Sequence, residues 1–597
     1  MGRIGAIAYM DFNKSVVDNM LATMDHGYML QNYYQNGNCM LMQCDQACKR
    51  ILSLEFAGAR FSIVMDGELY NSRELVHELS LLGHQLTSNC DSEILLHAYI
   101  QWGREMPQKL LGAFAFAIWN ESEKSLFVAR DQMGVKPLFY SALNNGIIFA
   151  SEIKTIFAHP LIPAKLTREG VAQLLLIGPG RVPGSGVFKD IYELEPGMYG
   201  IFHNNHFEKK RYWCLQDRIH TQSFEETAEE VKMLVLDSIK RQSNTQKSMG
   251  TLLSGGLDSS VISGVLAEKF READKSLKTF SVDYEGNDSN FVPGTLQPER
   301  DNDYIKLMTE HIGSEHHWML LNSIDQIACL EDATIARDLP GMGDVDFSLF
   351  AFCRRIKEYA DVVLSGECAD EIFGGYPWFI NMDYTPVKGF PWADNVDYRS
   401  TFILEEHRCN AKEFAMDHIN TSLAQVDILP ENSFPERKIK EMTWLNQYWF
   451  MQTLIDRNDR MSIGCGLEIR APFCDHRIAE YMFAVPWSFK RYNEREKGLL
   501  RFAMSGIIPD VVLWRKKSPY PKTFDPAYTN MVAERLRLLL DDPQALIWNV
   551  VDRNAAEGLI NGDLQKPWYG QLMKIPQTIA YMLQIDVWLN KYRVSIV

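Results

Sequence analysis

The chain has 597 residues, 46% of them hydrophobic and 23% charged, which excludes wholesale disorder and suffices for two large domains rather than one. Asp and Glu total 77 against 61 Lys and Arg, a formal net charge of −16; general binding to nucleic acid or anionic membrane needs clustered cations and is excluded on that ground. No apolar run approaches the ~20 residues that cross a bilayer, and the opening MGRIGAIAYMDFNKS lacks the pattern of a signal peptide. Eleven cysteines without CxxC or Cys/His spacing point to reduced core thiols in a cytoplasmic protein.

Up to about Trp213 the chain reads as short strands with a few helices. The runs RFSIVMDGELYN (60–71), FAFAIWN (114–120), SLFVARD (125–131) and GIIFASE (146–152), separated by turn residues, predict a layered sheet structure. LEPGMYGIFHNNHFEKKRYW (194–213) predicts one more hairpin, with turns at Pro196-Gly197 and Asn204-Asn205. The pattern then changes. SFEETAEEVKMLVLDSIKR (223–241) carries apolar residues at helical spacing behind Ser223 as an N-cap. Apolar strands at 249–253, 279–283 and 361–364 follow, alternating with helices, and predict a mostly parallel sheet covered on both faces. The break falls near 213–225, and beyond about Asn446 helical patterns dominate.

The most informative string is LLSGGLDSS (252–260), a short apolar strand running through two glycines into a helix. Inward-facing amides and a helix start suit an anion such as pyrophosphate, and Ser254, Ser259 and Ser260 add hydroxyl donors. Asp258 in a phosphate site makes sense as a holder of a cation, Mg²⁺. The string is neither a Walker A loop nor a GxGxxG fingerprint, and taken alone it also reads as a tight strand–helix turn. A second string, DVVLSGECADEIFGGYPWF (361–379), runs from strand to glycine turn to the acidic cluster Glu367, Asp370 and Glu371. Two such loops in a parallel sheet share the crevice at the carboxyl ends of the strands.

These two motifs resemble the asparagine synthetase family, as do LIDRNDRMSIGCGLEIRAPFCD (454–475), EKGLLRFA (496–503) and WRKKSPYPKT (514–523). The resemblance implies an α/β protein. Residues 1–213 would form an αββα glutaminase-like domain of the N-terminal-nucleophile type. Residues 226–597 would form an ATP-pyrophosphatase domain (adenine nucleotide α-hydrolase-like), a parallel sheet with a helical C-terminal region. It implies ATP and Mg²⁺: adenine near Leu252, Val282, Ser365 and Gly366, pyrophosphate on Ser254, Gly255, Gly256, Leu257, Asp258, Ser259 and Ser260, and the metal on Asp258 and Asp370. A carboxylate attacks the α-phosphate to give an acyl-adenylate and pyrophosphate, and an amine then displaces AMP. Glu367 matches the family's general base, and Lys517 matches the lysine that steadies charge on the α-phosphate and the tetrahedral intermediate. The pair His316-His317, frequent in the family, is expected to be structural.

In the first half, DGELYN (66–71), CDSEIL (90–95), LLGAFAFAIW (110–119), ARDQMGVKPLFY (129–140) and ASEIK (150–154) resemble the family's glutaminase. Active members carry a cysteine after the initiator Met, whose own α-amine serves as base. This chain has Gly2 there. The family's HRGPD is absent, since 24–29 reads MDHGYM, and the family's NGE has become Asp66-Gly67-Glu68, while Asp91 survives at the position that receives the glutamine α-amine. Cys39, Cys44 and Cys48 lie nearby without a built-in amine base. The expectation is a glutaminase-like scaffold without glutaminase activity, so the attacking amine comes from elsewhere.

The resemblance leaves several amide-forming readings. The combined loss at Gly2, HRGPD and NGE favours a macrolactam synthetase of the kind that closes lasso peptides, joining a peptide's N-terminal amine to an internal Asp or Glu. Tethering both reactants on one chain supplies effective concentration, and a peptide α-amine with a pKa of about 7.7–8.0 is partly neutral at pH 7. That reading implies a precursor peptide, a leader-peptide-binding protein and a leader protease as partners, and a peptide groove lined by Tyr376, Trp378, Phe379 and the stretch 383–400. The alternative is an ammonia-dependent asparagine synthetase with a decayed glutaminase. A β-lactam-synthetase-like cyclisation ranks below both because those enzymes use a Tyr base, and a non-catalytic binding protein ranks last because Asp258, Glu367, Asp370 and Lys517 are all present.

Overall fold

The computed structural model describes residues 2–27, 30–45, 51–143, 146–294, 299–380, 389–564, 566–571 and 573–597. The chain divides into two units: Met1–Thr167 with Val182–Cys214 and Val597, and Arg168–Arg181 with Leu215–Ile596. A single cut near 213–225 therefore misses one feature: the fourteen residues Arg168–Arg181 group with the second unit. The apolar run VAQLLLIGPG within them reads like core of either unit from sequence alone.

The first unit stacks two six-stranded sheets. Every pairing given within them is antiparallel. Strand Gly112–Asn120 shows why they stack. Its Ala115, Ala117 and Trp119 join a core with Ile4, Ala6, Leu41 and Ile147 of the other sheet. Its Phe114, Phe116 and Ile118 join Leu75, Leu79, Ile94 and Leu95 of the helices Ser72–Leu81 and Asp91–Trp102. The period-2 alternation of FAFAIWN thus loads both faces of one sheet. Helix Lys14–Met24 covers the outer face of the other sheet through Met20 and Met24, whose methyls approach Gly5. The result is the expected αββα layering.

The second unit is built on a five-stranded parallel sheet. Its strands are β1 (Met249–Leu252), β2 (Lys278–Tyr284), β3 (Glu315–Leu321), β4 (Val362–Leu364) and β5 (Glu468–Arg470), in the order β3-β2-β1-β4-β5. Helix α1 (Leu257–Glu272) follows β1, the short α2 (Ala369–Phe373) follows β4, and α3 (Met451–Ile463) precedes β5. Ser223 caps helix Phe224–Gln242 in a capping box with Glu226, as the sequence predicts. Elsewhere in this unit Arg399 is fully buried, its guanidinium stacked 4.3 Å over Trp568 and donating to the carbonyls of Leu175, Gly178 and Trp568. A buried cation is tolerable because its donors are satisfied by carbonyls drawn from remote stretches of chain.

Candidate active site

The register of the parallel sheet sets the site. Leu252 pairs with Phe280 and Thr251 with Leu364, so β1, β2 and β4 end at one level and their loops meet. After β1 the chain passes through Gly255 at φ +67°, where a Cβ would lie 2.8 Å from Cβ of Tyr304, and Gly256 caps α1. A side chain at Gly255 would be both strained and crowded, so glycine is required. The Ser254 amide donates to Ser259 Oγ (3.1 Å) and the two hydroxyl oxygens lie 3.0 Å apart, which folds the loop over the start of α1. The loop after β4 packs directly on it: a Cβ on Gly366 would lie 2.8 Å from Asp258 Cβ and 3.0 Å from the Ser259 nitrogen.

All the sequence-derived site residues except Gly255 and Ser260 line one cavity of about 250 Å³. Gly255 shapes the loop and offers its carbonyl to Arg515 at 3.1 Å. Ser260 is fully buried in α1 and is not among the residues that line the cavity. His316 and His317 also stay outside it; His316 bonds Thr279 Oγ1 at 2.8 Å, and burial pushes its pKa down to about 4.

Asp258 and Asp370 face each other through lysines. Lys497 Nζ lies 2.6 Å from Asp258 and 2.8 Å from Asp370, and Lys517 Nζ lies 2.8 Å from the other Asp370 oxygen. Burial opposes the charge on Asp370, but Lys497 and Lys517 outweigh it and hold the carboxyl well below its usual range. For Asp258 burial prevails over Lys497, and the neighbouring Asp370 adds to it, so its pKa is raised. Asp258 Oδ1 is buried without a hydrogen bond. Two carboxylates with an orphaned oxygen between them fit Mg²⁺, which retains waters and takes its remaining oxygens from phosphates. Among the described residues no cluster of three or more His, Cys, Asp or Glu forms a closed metal cage.

Lys517 also stands 3.6 Å over the ring of Tyr376, whose hydroxyl donates to Glu371 at 2.6 Å. Burial, reinforced by the charge of Asp370, lifts Glu371 to about 8. Glu367 is paired with Arg457 at 2.6 Å. Lys497 and Arg457 both line the cavity, and sequence reasoning assigned a role to neither. Lys497 sits at φ +53° in the left-handed region, and the only sequence signal for it is its place in EKGLLRFA. Of the aromatic groove proposed from sequence, Tyr376 stacks on Trp378 with centroids 4.4 Å apart, Phe379 is buried, and residues 383–388 lie outside the described residues.

The first unit contains the counterpart of a glutaminase centre, and it is filled with charge. Arg3 is fully buried, 2.9 Å from Asp66 and 3.0 Å from Glu152, and Glu152 also meets Lys154 at 2.7 Å and His26 at 2.9 Å. Asp91 accepts from the Leu69 amide (2.9 Å) and the Ser72 hydroxyl (2.8 Å). A Cβ on Gly2 would lie 2.6 Å from the Cys44 carbonyl oxygen. Neither described cysteine nearby substitutes as a nucleophile: burial drives the Cys39 thiol far up and Cys44 to about 12. Cys48 lies outside the described residues.

Comparison with known proteins gives each half of the chain a family match. Residues 230–590 match the family profile "Asparagine synthase", and residues 4–213 match "Glutamine amidotransferase domain". The chain belongs to the asparagine synthetase family. It is 40% identical to the glutamine-hydrolysing asparagine synthetase 3 of Bacillus subtilis, over 99% of each chain. It is 27% identical to asparagine synthetase 1 of the same organism, over 82% of this chain and 80% of that one. It is also 27% identical to the amidase chry2 of Gibberella zeae, over 78% and 77%. A family of ATP-dependent, amide-forming enzymes thus accounts for both units, and no described helix is long and apolar enough to cross a membrane.

Proposed function

We propose that this protein is an AMP-forming ligase that amidates aspartate with free ammonia, its own glutaminase centre having lost its nucleophile. One observation carries the reading: Asp258, Glu367, Asp370 and Lys517 converge on a single cavity, whereas the glutaminase nucleophile position is Gly2 beside a buried Arg3–Asp66 ion pair. ATP would supply the leaving group, and Asp258 and Asp370 would hold its Mg²⁺. The β-carboxylate attacks the α-phosphate and expels pyrophosphate, with Lys517 placed to balance charge on that phosphate. Ammonia then attacks the acyl carbon, AMP leaves, and the surplus proton of the new amide passes to Glu367. The similarity along the whole chain to asparagine synthetases supports aspartate as the carboxylate.

A second reading is macrolactam closure of a precursor peptide, with a leader-peptide-binding protein and a leader protease as partners. The absence of a cysteine at position 2 and of HRGPD favours it, because a tethered amine needs no ammonia from glutamine. Pyrophosphate release with ATP, Mg²⁺ and aspartate separates the two. Stimulation by ammonium with asparagine and AMP as products, and none by glutamine, establishes the first. Absence of aspartate-dependent release under either condition refutes it and leaves the peptide reading, to be tested by formation of a dehydrated, protease-resistant product.

A further inference from the structure

The cavity is more basic than the protein around it. Eight Lys and Arg side chains line it against six Asp and Glu, although the chain as a whole carries a charge of −16. Four of these cations have protein partners. Lys497 and Lys517 serve Asp258 and Asp370. Arg515 holds Asp301 at 2.5 Å and stacks on Tyr304 at 3.9 Å. Arg501 is bound to backbone carbonyls and to Glu496.

Arg457 differs. It projects from the middle of α3, with Leu454 and Asn458 of the same helix also on the cavity wall. Its side chain is only 4% exposed, its Nη2 donates to Glu367 Oε1 at 2.6 Å, and its plane lies 5.4 Å from the Tyr520 ring. Its Nε is buried with no hydrogen-bond partner. An orphaned buried donor carries a desolvation cost, and one at a cavity wall is placed where an incoming acceptor can relieve it. Nε and Nη2 form one edge of the guanidinium fork, the geometry that takes a carboxylate through two parallel bonds. An incoming carboxylate on that edge shares Nη2 with Glu367 and comes to rest beside the group that receives the amine's proton.

We propose that Arg457 is the docking residue for the carboxylate of the substrate that is not activated, the α-carboxylate when the substrate is aspartate. This rests on the aspartate reading above and adds to it the residue that selects a dicarboxylic acid. The activated carboxylate goes to Lys517 and the α-phosphate, so one molecule spans two cations and its reacting end is fixed. Arg457 acts here as a positioning residue.

The test is calorimetric titration of aspartate and of β-alanine, which lacks only the α-carboxylate. Each is titrated into the full-length protein loaded with Mg²⁺ and a non-hydrolysable ATP analogue. The unsubstituted protein binds aspartate at least ~30-fold more tightly than β-alanine. Arg457→Met loses ~30-fold in aspartate affinity, leaves β-alanine and nucleotide affinity unchanged, and abolishes the preference; Arg457→Lys falls between. Nucleotide affinity reports folding, and Arg457→Lys together with the two-ligand comparison on the unsubstituted protein keeps the test decisive if Arg457→Met does not fold. Aspartate affinity within ~3-fold of the unsubstituted protein in Arg457→Met, equal binding of the two ligands, or no aspartate binding overturns the proposal. Binding with the expected preference but no ammonium-dependent turnover overturns the asparagine synthetase reading and leaves the role of Arg457 standing.

Discussion

Gly366 and Asp258 are so close that a methyl group on the glycine would lie 2.8 Å from the aspartate Cβ. The two loops that build the nucleotide site are therefore in van der Waals contact through backbone and Cβ atoms, with no flexible side chain between them to yield. Gly366→Ala is expected to push Asp258 and the Ser259 amide out of place. Pyrophosphate release falls at least ~100-fold while the melting temperature changes by only a few degrees, because a displacement of about 1 Å at a reacting centre costs more in rate than in stability. Steady-state kinetics beside a thermal melt checks it; retained activity refutes it.

Lys497 bridges two carboxylates from separate loops. Replacing it with Met leaves Asp258 and Asp370 facing each other with only Lys517 nearby, and removal of one partner of a buried ion pair typically costs about 3–5 kcal/mol. The expected result is a melting temperature lower by several degrees in the absence of divalent ion and partly restored by millimolar Mg²⁺, which takes over the neutralisation. Equal loss with and without Mg²⁺ would show that the lysine only packs.

Restoring the glutaminase nucleophile alone is expected to fail. A side chain at Gly2 collides with the Cys44 carbonyl oxygen at 2.6 Å, and Asp66 is engaged by Arg3. Gly2→Cys should release no glutamate from glutamine above background. Glutamate release from this single variant would overturn the view that the centre is closed.

Asp344 is buried, accepts from Gln577 at 2.9 Å, and is lifted by that burial to about 6. Its folded-state pKa lies above the unfolded value of about 3.9, so its contribution to stability is complete below about pH 4 and is lost as pH rises towards 6. Asp344→Asn cannot ionise. The difference in melting temperature between this variant and the unsubstituted protein should shift by a few degrees in favour of the variant between pH 4 and pH 6.5. A difference that does not change with pH removes the assignment.

The parts of the site legible in the sequence were those written as local grammar. LLSGGLDSS and SGECADE each couple a strand, a glycine turn and a helix start, and the parallel register brings their ends together as expected. Lys497 and Arg457 were not legible because their roles depend on partners 239 and 90 residues away. Nor does α3 advertise itself: every residue of Thr453–Ile463 is buried, Asp456, Arg457, Asp459 and Arg460 included, so no polar face distinguishes the functional arginine. Ser260 is a helical step of about 100° round α1 from Ser259 and is buried, a difference that two adjacent serines do not show in the sequence. The substrate is not written in these motifs: similarity across the full chain shows the asparagine synthetase family.

The buried Arg399 sets a rule for dividing the molecule. Two of the three carbonyls that receive it belong to Leu175 and Gly178, ahead of the boundary that motif matching suggests. A fragment beginning near 226 would strand a cation in apolar surroundings and fail to fold for a reason unrelated to catalysis. On the ribosome, the stretch 168–181 emerges early and must wait for Arg399 and Trp568, which donate to its carbonyls.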